Sequence, residues 1–257
     1  MLLRFHKYQG TGNDFILVDD RKELFPAGDL ELVRKLCGRK FGIGADGLIL
    51  IRNHEVLDFN MIYFNSDGTQ SLCGNGSRCA VRFANSLGIC SRETRFNTIQ
   101  GELSAHIERD EIHLRIPDVN GIKNVGADLF VNTGSPHFIR YVDDVSNYDV
   151  FKEGRSIRYS GTYGERGTNV NFMESRGQNE IFVRTYERGV ENETLSCGTG
   201  VTACALVHGR MGSGGPVTVY TPGGRLTVNF RKHEDGSFTD IYLIGPAEKV
   251  FDGTVEL

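Results

Sequence analysis

The sequence predicts an α+β protein with two similar halves, each a curved antiparallel, barrel-like sheet around one central helix. Short runs of strand length recur between glycine-rich turns over most of the 257 residues. Two apolar, helix-compatible runs, 77–87 and 201–211, each follow directly on a Cys-Gly-x-Gly stretch. These stretches and their neighbours recur at a nearly constant offset of about 123 residues, which indicates a duplicated unit.

The repeated landmarks occur in the same order in both halves. They are a Thr-Gly turn at positions 11 and 133, the Cys-Gly-x-Gly stretch at 73 and 197, and a Thr-x-x-Gly turn at 98 and 221. We therefore predict an N-terminal domain over 1–118, to which the tail 247–257 returns, and a C-terminal domain over 119–246.

In the first half, predicted strands alternate with turns, and Asp29 is placed to cap a helix with a basic end. The glycine-rich segment 41–47 does not follow the strand–turn–helix pattern of a dinucleotide site, so it predicts a plain turn. The predicted strands of this half are 3–8, 14–18, 48–52, 57–64, 94–98, 102–107 and 112–116.

In the second half, the helix over 201–211 is predicted to be buried on nearly all sides, because residues 203–207 are consecutive and apolar. A strongly curved sheet would enclose such a helix. The stretch 143–167 is polar and weakly patterned, and we predict no element there. The predicted strands are 129–132, 137–142, 169–173, 181–187, 217–220, 226–230 and 238–243.

Composition excludes several classes of protein. The net charge of −4 and the scattered basic residues predict no nucleic-acid partner. The longest apolar runs are strand-sized and the N-terminus lacks an apolar signal segment, so we expect a cytoplasmic protein without a membrane partner. The six cysteines include no Cys-x-x-Cys pair, which predicts neither a metal site nor structural disulfides.

Cys73 and Cys197 are the candidate reactive residues. A cysteine just before a helix start lies among free backbone N–H groups at the positive end of the helix dipole, which lowers the pKa of its thiol. Two such thiols from duplicated halves, facing across a cleft, suit inversion at a carbon, in which one base removes a proton and an acid returns it to the other face. The remaining cysteines are expected to be structural: Cys37, Cys79, Cys90 and Cys204.

Thiols fit this chemistry because an ordinary cysteine pKa of about 8.5 keeps both protonation states accessible near neutral pH. An amino-acid α-proton is much less acidic, so the site must stabilise a carbanion, and helix N-termini aimed at a carboxylate would do so. No pyridoxal-binding lysine motif is evident, which predicts a reaction without a cofactor.

Several motifs together resemble the diaminopimelate epimerase family from Gly10 to the C-terminal tail. They are Gly12-Asn13-Asp14-Phe15, the segments 41–46, 64–68 and 73–79, Gly134-Ser135-Pro136-His137, Thr168-Asn169-Val170, and 186–200. The resemblance implies interconversion of LL- and meso-2,6-diaminopimelate without a cofactor, on the route to lysine and peptidoglycan. It also implies a homodimer and two pseudo-symmetric domains, each with a central helix.

The resemblance also implies a role for individual residues. Cys73 and Cys197 would be the acid/base pair, and His137 and Glu187 would lie beside the thiols and assist their proton exchange. The implied substrate-binding residues are Asn13, Asn65, Gly74, Asn75, Asn169, Glu187, Arg188, Gly198 and Thr199.

Three positions depart from the family pattern. Many members have Asn where this chain has Ser135, and Gln where it has Gly47, which predicts a water in place of the missing side chain. Phe251 stands where relatives often carry a Tyr at the dimer contact.

Other functions remain open from the residues alone. A proline racemase or a phenazine-pathway isomerase of the same fold would also use such a scaffold, although Asn65, Asn169 and Arg188 favour a substrate with a distal amino-acid group. A dithiol redox protein would instead pair Cys73 with Cys197 reversibly, and a binding module would show no turnover.

Overall fold

A computed structural model describes residues 2–210, 212 and 214–257. The chain divides into two compact units, Met1–Leu114 with Gly245–Leu257, and Arg115–Ile244. The helices are α1 (Leu30–Cys37), α2 (Gly74–Ser86), α3 (Val150–Arg158) and α4 (Gly198–Gly209), with a 3-10 turn at Gly161–Tyr163. Among these helices, none is both long and apolar enough to cross a membrane. The predicted end of the last helix, Met211, lies outside the described residues.

The first unit is built on a mixed sheet in the order β17, β1, β2, β3, β4, β5, β6, β7. Most of these neighbours are antiparallel, but β2–β3 and β4–β5 are parallel. The strands are β1 (Leu2–Gly10), β2 (Asn13–Asp19), β3 (Gly47–Arg52), β4 (Phe59–Asn65), β5 (Glu93–Thr98), β6 (Gly101–Glu108), β7 (Glu111–Ile116) and β17 (Glu248–Glu256).

The second unit repeats this succession in the order β8, β9, β10, β11, β12, β14, β15, β16, with parallel pairs at β10–β11 and β12–β14. The short β13 pairs with the end of β12. The strands are β8 (Lys123–Val125), β9 (Asp128–Asn132), β10 (Pro136–Tyr141), β11 (Asn169–Gly177), β12 (Glu180–Glu187), β13 (Asn192–Thr194), β14 (Val217–Thr221), β15 (Gly224–Lys232) and β16 (Phe238–Pro246).

The predicted fold class, two similar α+β domains with central helices, is confirmed, but the sheets are mixed rather than antiparallel throughout. In both units a helix lies in each connection between parallel neighbours: α1 and α2 in the first, α3 and α4 in the second. Parallel strands need such crossover connections, whereas the remaining neighbours are joined by short turns or loops or lie far apart in the chain.

A central helix packs against several strands in each unit. Helix α2 contacts β1 to β4, and α4 contacts β9 to β12, β14 and β15. Residues 201–207 of α4 are all at most 1 % exposed, as the unbroken apolar run predicts. In helix α2 every residue from Gly74 to Val81 is buried, and Phe83 and Ala84 are buried as well.

Local sequence explains where the smaller helices begin. Asp29 accepts a hydrogen bond from the backbone N–H of Leu32 at 3.0 Å, as expected of an N-cap. Helix α3 lies in the stretch where we predicted no element. It is capped by Asp149, and its close approach to the sheet depends on Gly154, where an added Cβ would lie 2.4 Å from the Cβ of Tyr186.

Candidate active site

Cys73 is the N-cap residue of α2, because the helix begins at Gly74, inside the Cys-Gly-x-Gly stretch. Its Sγ accepts a hydrogen bond from the backbone N–H of Gly76 at 3.4 Å. The same thiol is placed to donate to Oδ1 of Asn13 at 3.5 Å. A backbone donor and the positive end of the helix dipole both stabilise negative charge on this sulfur.

Asn13 is oriented by a carboxylate in the turn before β3. Its Nδ2 donates to Oδ2 of Asp46 at 2.6 Å, which leaves Oδ1 for Cys73 and for Nδ2 of Asn75 at 3.3 Å. Arg39 in turn bridges Asp46 and Asp14 at 2.7 Å. We call Cys73, Asn13 and Asn75 the Cys73 half-site.

Asp14, beside Asn13, has a strongly lowered pKa. Burial would raise its pKa, but hydrogen bonds from Arg39 and Lys7 together with their charges lower it to about 2. Asp14 is therefore ionised at neutral pH, and it holds Arg39 in place against Asp46.

Arg78 is the fifth residue of α2 and is fully buried. It donates to Oδ1 of Asn75 at 3.0 Å, to the hydroxyl of Thr11 at 3.4 Å and to the carbonyl of Pro246 at 3.4 Å. Burial lowers its pKa. Within 2–210, 212 and 214–257 no carboxylate forms an ion pair with Arg78, so its charge contributes a positive potential at the Cys73 half-site.

Asn65 ends β4 and is held by its own turn. Its Nδ2 donates to the hydroxyl of Thr69 at 3.0 Å, and its Oδ1 accepts from the hydroxyl of Ser71 at 3.2 Å. Thr69 and Ser71 both belong to the segment that leads to Cys73. The side-chain amide of Asn65 is therefore oriented by the residues that precede α2.

Cys197 is the N-cap residue of α4, but its surroundings differ from those of Cys73. Its Sγ lies 3.7 Å from the hydroxyl oxygen of Thr199, and the structure shows no capping hydrogen bond from this side chain. The hydroxyl of Thr199 lies 2.9 Å from Nε2 of His137. We call Cys197, Thr199, His137 and Asn171 the Cys197 half-site.

Asn171 determines which nitrogen of His137 carries the proton. The Oδ1 of Asn171 accepts from the hydroxyl of Thr185 at 3.0 Å, and its Nδ2 donates to the carbonyl of Phe138 at 2.8 Å. The same Nδ2 lies 3.2 Å from Nδ1 of His137, which must then accept. This network assigns the proton to Nε2, which donates to Thr199 and leaves the threonine hydroxyl able to donate to Cys197.

His137 is fully buried and neutral at physiological pH. Burial first, and then the positive charge of Arg188, lower its pKa to about 3. An imidazole with this pKa cannot serve as a reservoir of protons near neutrality. It orients the hydroxyl of Thr199, and this hydroxyl links the imidazole to the thiol of Cys197.

Gly200, in the first turn of α4, allows His137 and Asn171 to approach the helix. A Cβ at this position would lie 2.4 Å from Oδ1 of Asn171 and 3.3 Å from Cε1 of His137. At the equivalent Gly76 of α2 the nearest atom would be 3.3 Å away. The two glycines therefore carry different steric constraints although their sequence contexts match.

Asn169, Arg188 and Glu187 lie at the ends of β11 and β12. Oδ1 of Asn169 accepts from the backbone N–H of Arg188 at 2.9 Å, and its Nδ2 donates to the hydroxyl of Ser135 at 3.0 Å. Ser135 thus orients Asn169. Oε2 of Glu187 accepts from the hydroxyl of Thr194 at 2.8 Å.

The structure groups the predicted residues within each unit. Asn13 and Asn75 contact each other beside Cys73, Thr199 and His137 are linked beside Cys197, and Asn169 contacts Arg188. The sequence interpretation missed the residues that orient them: Asp46, Arg78, Asn171 and Thr194. Asp46, Arg78 and Thr194 belong to the recognised motifs, and Asn171 follows Asn169 at the two-residue spacing of one strand face.

The other cysteines are buried free thiols. Burial raises the pKa of Cys37 and of Cys79 to about 12, and it also raises the pKa of Cys90 and Cys204. None of these thiols forms a thiolate readily near neutral pH, which supports their expected structural role.

Comparisons with known proteins cover nearly the whole chain. The profile of the family described as diaminopimelate epimerase matches residues 5–117 and 129–250. A diaminopimelate epimerase of Flavobacterium psychrophilum is 48 % identical over 98 % of this chain and 100 % of its own length. One from Aquifex aeolicus is 42 % identical, covering 98 % of this chain and 97 % of its own.

Solved structures of lower identity share the fold. A PhzF-family phenazine biosynthesis protein of Bacillus anthracis has a TM-score of 0.80 at 15 % identity, covering 100 % of both chains. A probable proline racemase from Agrobacterium radiobacter has a TM-score of 0.70 at 15 % identity, covering 99 % of this chain and 93 % of its own. The fold alone therefore does not separate these proteins, whereas the family profile and the relatives do. On that basis this chain belongs to the diaminopimelate epimerase family.

Proposed function

We propose that this chain interconverts LL- and meso-2,6-diaminopimelate without a cofactor, with Cys73 and Cys197 as the acid/base pair. The observation that carries the proposal is the duplication of one arrangement. Each unit places a cysteine as the N-cap of its central helix, within the same succession of strands. A reaction that inverts one carbon needs a base and an acid of matching chemistry, and the duplicated arrangement supplies them.

The proposed reaction proceeds by two proton transfers. One cysteine thiolate takes the α-proton and becomes a thiol, while the C–H electron pair delocalises onto the substrate carboxylate. The other thiol then gives its proton to the opposite face of the carbon and becomes the thiolate. The reverse reaction exchanges the two roles. Backbone N–H groups at the helix starts, at Gly74-Asn75 and Gly198-Thr199, would stabilise the charge that develops on the carboxylate.

The two half-sites would tune the thiols differently. Cys73 has the backbone donor of Gly76 and the charge of Arg78, both of which favour a thiolate. Cys197 has a hydroxyl donor that neutral His137 orients. The amides of Asn13, Asn65 and Asn169 and the guanidinium of Arg188 would bind the polar groups of the diamino acid. The product would serve lysine and peptidoglycan precursor synthesis.

The test is α-proton exchange with LL-diaminopimelate in deuterated water. We expect the wild-type protein to epimerise the substrate with deuterium incorporation, and Cys73→Ala and Cys197→Ala each to abolish epimerisation. Cys90→Ala is the control, because this buried cysteine lies outside both half-sites. Full epimerisation by Cys73→Ala or by Cys197→Ala would contradict the two-thiol mechanism. Proton exchange with proline alone would contradict the proposed substrate.

A further inference from the structure

Tyr63 lies on the strand that ends at Asn65, and its side chain shares a face of the sheet with that residue. Side chains two positions apart on a strand point the same way. Asn65 pairs with Gly47 across the antiparallel β3–β4 ladder, and Gly47 pairs with Phe15 across the parallel β2–β3 ladder. Phe15, Gly47 and Asn65 therefore form one row across the sheet, and Tyr63 lies in the next row beside Ile49.

This face of the sheet is the one that meets the start of α2. An added Cβ at Gly76 would lie 3.3 Å from Cδ1 of Ile49, 3.4 Å from Cε1 of Phe15 and 3.5 Å from the Cβ of Cys73. The ring of Tyr63 meets that of Phe15 edge-on, with centroids 5.9 Å apart. The phenol is thus part of the wall next to the Cys73 half-site, and it is only 7 % exposed.

The ring of Tyr63 leans over Gly47 rather than remaining in its own row. An added Cβ at Gly47 would lie 2.5 Å from Cε2 and 3.0 Å from the hydroxyl oxygen of Tyr63. It would also lie 2.5 Å from the carbonyl oxygen of Phe64. The phenol lies against the place that a Cβ at Gly47 would take, and its hydroxyl reaches the row that contains Asn65.

We propose that the Tyr63 hydroxyl is a substrate-binding group, and that Gly47, which has no side chain, leaves the room that the tyrosine ring takes. The hydroxyl would donate a hydrogen bond to a carboxylate oxygen of the amino-acid substrate. The neighbouring helix start favours an anion, since its free N–H groups and dipole are positive. A phenol supplies a neutral donor without adding charge. This inference rests on the proposed function and assigns one further contact to it.

The test compares Tyr63→Phe with Tyr8→Phe, which also removes a buried phenol hydroxyl from the first unit. Tyr8 is 3 % exposed, and its hydroxyl lies 3.5 Å from that of Ser86, away from the half-site residues. We expect Tyr63→Phe to weaken calorimetric binding of diaminopimelate and to lower kcat/KM about three- to tenfold, the usual effect of one hydrogen bond. Tyr8→Phe should bind diaminopimelate as tightly as the wild type does.

Two outcomes would overturn the inference, and they are distinguishable. If the wild type epimerises diaminopimelate and Tyr63→Phe binds it equally tightly, or loses no more than Tyr8→Phe, the tyrosine is only structural. If the wild type neither binds nor epimerises diaminopimelate, the proposed function is wrong and this contact fails with it.

Discussion

The Nε2 of His137 lies 2.9 Å from the hydroxyl oxygen of Thr199, and that oxygen lies 3.7 Å from the sulfur of Cys197. The histidine is therefore linked to the thiol through a threonine hydroxyl. Because burial and the charge of Arg188 keep this imidazole neutral, it cannot stabilise a thiolate by its own charge. It acts by fixing the direction in which Thr199 donates.

Removing the Thr199 hydroxyl should impair Cys197. Thr199→Val takes away the donor to the sulfur and leaves the buried N–H of His137 without its acceptor. The unsatisfied N–H should lower the free energy of unfolding by about 1–3 kcal/mol. We expect kcat to fall about 10- to 100-fold, and the pH profile of Cys197 alkylation to move to higher pH. Thr199→Ser keeps the hydroxyl and should recover most of the activity. Equal losses of kcat in Thr199→Val and Thr199→Ser would mean that the hydroxyl does not support the reactivity of Cys197.

Folding stability should fall below pH 6.5 because of His137. Its pKa is about 3 in the folded protein against 6.5 as the ordinary value, so between these values the unfolded chain binds more protons. Stability is then present above pH 6.5 and is lost as pH falls, by up to about 1.4 kcal/mol per pH unit. Asp14 contributes to the pH dependence of stability only below about pH 4, because its pKa is about 2 in the folded protein against an ordinary value of 3.8.

The measurement for this prediction is urea unfolding between pH 6.0 and about 4.5, a range chosen to lie between the His137 and Asp14 transitions. The free energy of unfolding of His137→Gln should depend less on pH than that of the wild type. The exposed His54→Gln is the control, because it also exchanges an imidazole for an amide but lies outside the Cys197 half-site. A wild-type slope in His137→Gln would show that another group causes the acid sensitivity.

Gly200→Ala should be far more damaging than Gly76→Ala, although both glycines occupy the same place in the repeat. The new Cβ would lie 2.4 Å from Oδ1 of Asn171, which is fully buried and cannot move away. We expect about a 10- to 100-fold loss of kcat and about 1–3 kcal/mol of stability, as for other overpacked sites. The nearest atom at Gly76 would be 3.3 Å away, so a smaller loss is expected. Steady-state kinetics and thermal unfolding of both variants would show whether this order holds.

Asp46 should influence substrate binding through Asn13 without contacting the substrate. Asp46→Ala removes the acceptor that orients Nδ2 of Asn13 at 2.6 Å, so the amide can rotate away from Cys73. We expect KM to rise about three- to 30-fold with a smaller change in kcat, because a hydrogen bond to a charged group contributes this much binding free energy. Asp46→Asn retains a carbonyl acceptor, so its KM should lie between that of the wild type and that of Asp46→Ala. If Asp46→Ala leaves KM unchanged, Asn13 is oriented by its other contacts alone.

Much of the local structure follows from the sequence, because it depends on neighbouring residues. The cap at Asp29, the burial of residues 203–207 and a helix at each Cys-Gly-x-Gly stretch were predicted from short-range pattern. Both helices begin three residues earlier than predicted, at Gly74 and Gly198. Helix α3 was missed because its packing depends on Gly154 approaching Tyr186, a contact that periodicity does not reveal. The mixed sheet was missed because strand periodicity does not specify the direction of a neighbour.

By itself the sequence determined the two-part α+β plan, the paired cysteines at helix starts and the family resemblance. These features are written in repeats, periodicity and motifs. Only the tertiary structure decided that Asp46 orients Asn13, that Asn171 selects the tautomer of His137, and that Tyr63 covers Gly47. Each of these contacts joins residues from different strands or turns. Their identity depends on register and on the packing of side chains, and no local pattern in the chain encodes either.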